Sequence, residues 1–173
     1  MNYTFIKGQF TEAQLEEAII ALFEQQEYTY VHGESIHRKY EDILLLDDLR
    51  AFIQDRYAND DLSDVELQKI INRLQLISAS PLYSGNRETF WLINEGFDLV
   101  RDDPSKVALH IDYIDFENPK KNIFKVVNQY SVQGERLRRP DLLVFINGIP
   151  IAICEFKSAI NEDTTVYDAW EQI

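Results

Sequence analysis

Apolar positions near the start of the chain recur at helical spacing: Leu15, Ala18, Ile19, Leu22 and Phe23 follow a period close to 3.6 residues. Thr11 with Gln14 three residues later forms a capping box, so the pattern predicts a helix near residues 12–26. Residues 27–34 read as a connection, in which Tyr28 and Tyr30 suggest an ordinary strand. Helical patterns then dominate from about 40 to 103. Residues 43–59 are one candidate helix. Ser63-Asp64-Val65-Glu66 reads as a second helix start, with Leu67, Ile70, Ile71 and Leu74 on one face. Residues 90–100 read as a short helix and then a strand, with Phe90, Trp91 and Phe97 expected in the core.

The texture changes after Asp103-Pro104. Residues 107–116 alternate Val, Leu and Ile with Ala, His, Asp and Tyr, which predicts a strand. A turn at 118–122 leads to a second strand over 124–132, and another turn falls at Gln133-Gly134-Glu135. Two apolar runs, 141–146 and 149–156, then flank Asn147-Gly148. Asn-Gly between such runs is a strong hairpin signal. Because both runs are apolar at nearly every position, each is expected to be buried on both faces, as a central strand covered by helices. The last segment, 167–173, reads as the start of a helix with no stop signal, so the chain is expected to continue into a larger protein.

Composition narrows the class. The chain has 173 residues, 45% hydrophobic and 12% aromatic, enough for a folded core. No apolar run approaches the roughly 20 residues that span a bilayer, and the N-terminus lacks a secretory pattern. A lone cysteine, Cys154, excludes an internal disulfide framework and a cysteine zinc site. The expected compartment is the cytoplasm, without membrane association. The net charge of -13 argues against a domain that grips nucleic acid by itself, since phosphate contacts need clustered Lys and Arg. It leaves open catalysis on DNA at a carboxylate site, with the grip supplied by a partner domain.

Candidate chemistry sits at the hairpin ends. Pro140-Asp141 precedes the first apolar run, and Glu155-Phe156-Lys157 ends the second. Phosphodiester cleavage needs a divalent ion to polarise phosphate and activate water. Asp141 and Glu155 offer hard oxygen ligands suited to magnesium, and Lys157 offers a cation for the water or the phosphate. Glu155 and Lys157, two apart in a strand, share a face. A tight two-residue turn would set Asp141 opposite Cys154 and on the other face. A three-residue loop, Ile146-Asn147-Gly148 with a bulge at Gly148, or an equivalent bulge further down, would bring all three to one face. Charged groups at strand ends are common, but these three terminate two otherwise apolar strands and there require a partner or a metal.

The stretch 122–132 (Asn-Ile-Phe-Lys-Val-Val-Asn-Gln-Tyr-Ser-Val), Arg138-Arg139-Pro140-Asp141, Phe145 to Ile151 and Glu155-Phe156-Lys157-Ser158 together resembles the N-terminal endonuclease domain of the R subunit of type I restriction-modification enzymes. Weaker matches lie in 86–96 and the first helix. The resemblance implies an α/β fold: a PD-(D/E)xK restriction-endonuclease-like core, its mixed central sheet flanked by helices, with a helical insertion at about 36–105 and the catalytic sheet at about 106–158. It implies that residues 1–173 are one endonuclease domain of a larger translocase subunit, cleaving double-stranded DNA with Mg2+. ATP would act only through translocase domains absent from this chain, and the methyltransferase and specificity subunits would be partners. It places Asp141 and Glu155 on the metal, gives Lys157 a role in the attack, and puts a first-helix glutamate beside the site. Of Glu12, Glu16 and Glu17, the first two flank the expected apolar stripe and Glu17 points away; Glu16 is favoured. Gln172 would be the glutamine of a Gln-x-x-x-Tyr motif on the following helix. A non-catalytic docking module of the same fold, or a stand-alone nuclease, are the competing readings.

Other residues carry less. Arg136, Arg138 and Arg139 are the basic cluster near the site, read as phosphate contacts or as a solvated turn. His32, His37 and His110 have no metal-pair spacing on one helix and read as structural or surface groups. Cys154 reads as a small buried apolar residue.

Overall fold

The computed structural model describes residues 11–77 and 82–157. They fall into two units. The first takes 11–43, 124–145 and 150–157, the second 44–77, 82–123 and 146–149.

The first unit opens with helix α1 (Glu12–Gln25). The capping box forms as its sequence predicts: the Gln14 amide donates to Thr11 Oγ1 at 3.3 Å, and the Thr11 amide donates to Gln14 Oε1 at 3.1 Å. The buried face of α1 differs from the expected one. Leu15, Ile19, Ile20 and Phe23 pack inward, while Leu22 is 54% exposed. At about 100° per residue, that rotation puts Glu12 and Glu16 on the axis of the buried face instead of at its flank.

Strand β1 (Thr29–His32) forms where Tyr28 and Tyr30 suggest one, inside the stretch read as a connection. Strands β4 (Phe124–Asn128), β7 (Leu142–Ile146) and β8 (Ile149–Cys154) complete a four-stranded sheet in the order β1-β4-β7-β8. β1 and β4 are parallel, from Thr29↔Lys125 to His32↔Asn128. A parallel pair needs a long crossover, and residues 33–123 provide it. At its start, Gly33 lies where any Cβ would come within 2.7 Å of the Asn128 and Gln129 carbonyl oxygens, so the close approach of the backbones requires glycine.

β7 and β8 join through Asn147-Gly148. Both residues have positive φ, 52° and 78°, as a two-residue type I′ turn requires. The expected three-residue loop with Ile146 inside it is therefore not formed; Ile146 remains in the strand. The Asn147 amide donates to the Ile123 carbonyl at 2.8 Å, so the far end of β7 meets the start of β4, and these neighbours are antiparallel. The sheet is thus mixed, and with its helices the chain has the α/β architecture of a PD-(D/E)xK-like nuclease core.

β7 is buried on both faces as expected. Leu142 and Val144 join Val126, Phe156 and the α1 residues in one core cluster. Phe145 and Tyr130 meet edge to face at 5.3 Å, and the Arg38 guanidinium lies 3.4 Å from the Tyr130 ring centroid. β8 departs from expectation: Ile151 and Ile153 are 44% and 46% exposed. It is an outer strand of the described sheet, and Pro150 within it is the residue type that tolerates such a place.

The second unit holds α2 (Leu46–Arg56), α3 (Asp64–Ile77), α4 (Leu82–Glu95) and a two-stranded sheet of β2 (Phe97–Leu99) with β3 (Leu109–Ile111). Leu49, Ile53, Ile70, Ile71, Ile111 and Tyr113 form the centre of its core. The expected strand over 107–116 is thus cut to three residues and belongs to another sheet. The backbone beyond it bonds to side chains: Asp112 N–H donates to Tyr57 Oη at 2.7 Å, and Asp115 N–H to Asn122 Oδ1 at 2.8 Å. Phe90 and Trp91, expected in the core, lie on the exposed side of α4 while Leu92 takes the inward position.

Candidate active site

Asp141 stands one residue before β7, and Glu155 one residue after β8. Strict alternation along the paired strands would separate their side chains, as the tight turn demands. The structure unites them differently. Regular strand ends at Cys154, so Glu155, Phe156 and Lys157 are released from the alternation. The Phe156 amide then donates to Asp141 Oδ2 at 2.6 Å, which draws the two chain segments together.

The two carboxyl groups are close enough for Asp141 to act on Glu155. Glu155 holds its proton more tightly than an ordinary glutamate. Burial is the largest cause, followed by the charge of Asp141 and a direct side-chain contact with it. Lys157 acts in the opposite direction, and Glu12 adds to the rise. Thus Asp141, Lys157 and Glu12 all lie within electrostatic reach of Glu155. Burial likewise pushes the half-buried Cys154 thiol above its ordinary range, as suits an inert apolar residue and not a nucleophile.

Glu16 takes a different partner. Its Oε1 accepts from Asn128 Nδ2 at 2.6 Å, and Asn128 Oδ1 accepts from Tyr30 Oη at 3.1 Å. Asn128 is buried at the end of β4, and the antiparallel pairing sets that end beside the start of β7, where Asp141 stands. Neither Asn128 nor Tyr30 was singled out as a site residue by the sequence pattern. The polar Asn128 closing an apolar strand was the available signal.

Arg136, Arg138 and Arg139 are exposed, on and beside the small hairpin of β5 (Val132–Gln133) and β6 (Leu137–Arg138), two to five residues before Asp141. Gln172 lies outside the described residues. Glu17 is exposed on α1. His110 is an exposed group whose Nδ1 lies 2.7 Å from Asp98 Oδ1.

The donor chemistry suits a hard divalent cation. Magnesium keeps several waters and takes one or two protein carboxylates, and here two carboxylates share one partly buried place. No group of three or more His, Cys, Asp or Glu that would hold a metal occurs among the described residues. Asp141 and Glu155 are the carboxylates that the described residues bring together at this place.

The chain matches the family described as type I restriction enzyme R protein N terminus over residues 9–173. It is 32% identical over 161 residues to the provisionally named type I restriction enzyme MjaIXP endonuclease subunit of Methanocaldococcus jannaschii, covering 87% of this chain and 15% of that one. It is 31% identical over 117 residues to the type I restriction enzyme SauMSSORF170P endonuclease subunit of Staphylococcus aureus, covering 65% and 12%. Similarity extends at 23% identity over 134 residues to the type I restriction enzyme HindI endonuclease subunit of Haemophilus influenzae, covering 75% and 12%. The chain spans about 15% or less of the length of these curated relatives.

Proposed function

The chain belongs to the family of type I restriction enzyme R protein N termini, and from that premise we propose that it is a magnesium-dependent nuclease domain cutting double-stranded DNA. The observation that carries this reading is the meeting of Asp141 and Glu155 at the ends of the two inner hairpin runs, with Lys157 in reach.

Asp141 and Glu155 would hold Mg2+, which supplies polarisation of the scissile phosphate and a water of lowered pKa when bound. The chain's own residues do the rest. The Phe156 N–H fixes Asp141 through Oδ2, leaving Oδ1 outside that bond. Burial first and then the charge of Asp141 raise the proton affinity of Glu155, and a divalent cation held by these residues would offset that repulsion. Lys157 brings a positive charge toward the phosphate oxygens, where negative charge grows in the transition state. Glu16 is the first-helix glutamate of the site, and Glu12, one turn earlier, adds its charge near Glu155. Arg138 and Arg139 contact backbone phosphates close to the cut, and Gln172, outside the described residues, also touches DNA.

In the full protein, neighbouring domains drive DNA translocation with ATP, and methyltransferase and specificity subunits bring the target sequence, in the cytoplasm. No helix among the described residues is long and apolar enough to cross a membrane. The test is plasmid cleavage by the complete enzyme carrying Asp141→Ala or Lys157→Ala, with ATP hydrolysis followed in parallel. Cleavage falling at least 100-fold with hydrolysis retained is expected, on the scale of lost transition-state stabilisation. Normal cleavage by both variants would favour the non-catalytic docking module instead.

A further inference from the structure

We infer that Asn128, bonded to Tyr30, is a positioning residue that holds the Glu16 carboxylate, and with it the first turns of α1, at the Asp141–Glu155 end of the sheet. The inference rests on the nuclease reading above and deepens it. Three observations carry it. Asn128 is a buried polar side chain at the end of an apolar strand, a costly placement unless its hydrogen bonds are made. Both ends of its amide are engaged, Oδ1 by the Tyr30 hydroxyl at 3.1 Å and Nδ2 on Glu16 at 2.6 Å. The strand end that bears it is locked, because Gly33 packs against its carbonyl and Gln129 follows with φ 52°.

The chemistry gives each partner a distinct task. The Glu16 carboxylate only accepts, so it fixes which way the amide faces, and the Tyr30 hydroxyl donates to the Oδ1 so presented. Nδ2 then points at Glu16, where a donor is required and a flipped amide would set two acceptors together. A short bond to a carboxylate is charge-assisted and about twice as strong as a neutral one. It also joins elements far apart in sequence: Glu16 on the first helix, Tyr30 on the outer strand β1, and Asn128 on the strand beside Asp141. The apolar contacts of Leu15, Ile19, Ile20 and Phe23 also hold α1, but they are non-directional. The polar clasp therefore sets where the glutamates of α1 stand, within the tolerance that metal chemistry needs.

Asn128→Asp keeps the shape and replaces the donor with a second carboxylate facing Glu16. Tyr30→Phe keeps the ring and leaves the buried Asn128 Oδ1 without that donor. In the complete enzyme, Asn128→Asp is expected to lower plasmid cleavage about 10- to 100-fold, the usual effect of losing an outer support of a metal site, and to raise the magnesium concentration for half-maximal cleavage. Tyr30→Phe acts in the same direction and more weakly. ATP hydrolysis stays at the parent level, and hydrogen–deuterium exchange rises over residues 12–25 more than over 142–154. Unchanged cleavage and magnesium dependence in both variants would overturn the inference, as would lost cleavage at unaltered magnesium dependence. Asp141→Ala measured alongside separates the two claims: if it still cuts, the nuclease reading itself fails.

Discussion

At the scale of single residues, the defining feature is a carboxylate pair that repels itself. The folded-state pKa of Glu155 lies above its ordinary value, chiefly through burial and then through Asp141. A carboxyl raised in this way adds stability only where it is protonated, below about pH 4.3. That contribution is lost as the pH rises through the folded pKa. At neutral pH without metal, the ionised pair therefore costs stability. Glu155→Gln should melt at a higher temperature than the parent in chelator, with the gap widening from pH 4 to pH 7, while losing cleavage; a lower melting temperature in chelator would contradict the argument. The types and spacing of Asp141, Glu155 and Lys157 were legible in the chain. How they meet was not. It depends on the strand ending at Cys154 and on one amide bond from Phe156, which no alternation pattern encodes. The sequence reading placed Glu16 and Glu12 on the flank of α1 because Leu22 and Ala18 counted as core residues. The tertiary packing turned the helix instead.

At the scale of elements, two local devices can be tested. α3 begins at Ser63, whose Oγ accepts from the Glu66 amide at 3.1 Å while Glu66 Oε2 accepts from the Ser63 amide at 3.0 Å. The buried Glu66 carboxylate also takes Arg101 Nε at 2.9 Å and the Asp102 amide at 2.8 Å. Arg101 foremost, with those backbone amides, depresses the Glu66 pKa to about 2. The sign is opposite to that of Glu155: the stability is present above the ordinary carboxyl range and is lost as pH falls toward 2. Glu66→Ala should cost about 3–5 kcal/mol, the scale for breaking a buried ion pair, and urea unfolding at pH 7 would measure it; a loss below about 1 kcal/mol would mean that Arg101 finds other partners at no cost. The second device is the hairpin tip. A Cβ on Gly148, already at φ 78°, would lie 2.2 Å from the Leu45 carbonyl oxygen. Gly148→Ala should destabilise by more than about 1 kcal/mol, read as a drop in melting temperature. The place of the Asn-Gly turn was evident from sequence, though not its two-residue form, as were the first three helices, because their periods are local; α4 starts at Leu82, ahead of the residue 90 that the sequence reading gave it. The trimming of the 107–116 strand was not, since the bonds that end it come from Tyr57 and Asn122 side chains. For the exposed β8, Pro150 was the overlooked sign.

At the scale of the whole molecule, charge and length set the terms. A net charge of -13 leaves a nuclease domain with little grip on a polyanion beyond the exposed arginines before Asp141. If Arg138 and Arg139 touch phosphates, replacing each with Ala should lower the salt slope of DNA binding by the complete enzyme by about 1; an unaltered slope would assign them to a solvated turn. The chain covers about 15% of the provisionally named Methanocaldococcus jannaschii relative; in the proposed reaction, binding energy and motion would come from other parts of such a protein, and this domain would contribute a cation site. The most direct measurement is titration calorimetry of the chain with Mn2+, a stand-in for magnesium, comparing the parent with Asp141→Asn and Glu155→Gln. The account predicts binding by the parent that is lost in both variants, although each is folded and Glu155→Gln is the more stable without metal. Equal Mn2+ binding in all three would contradict the assignment of Asp141 and Glu155 as the metal ligands.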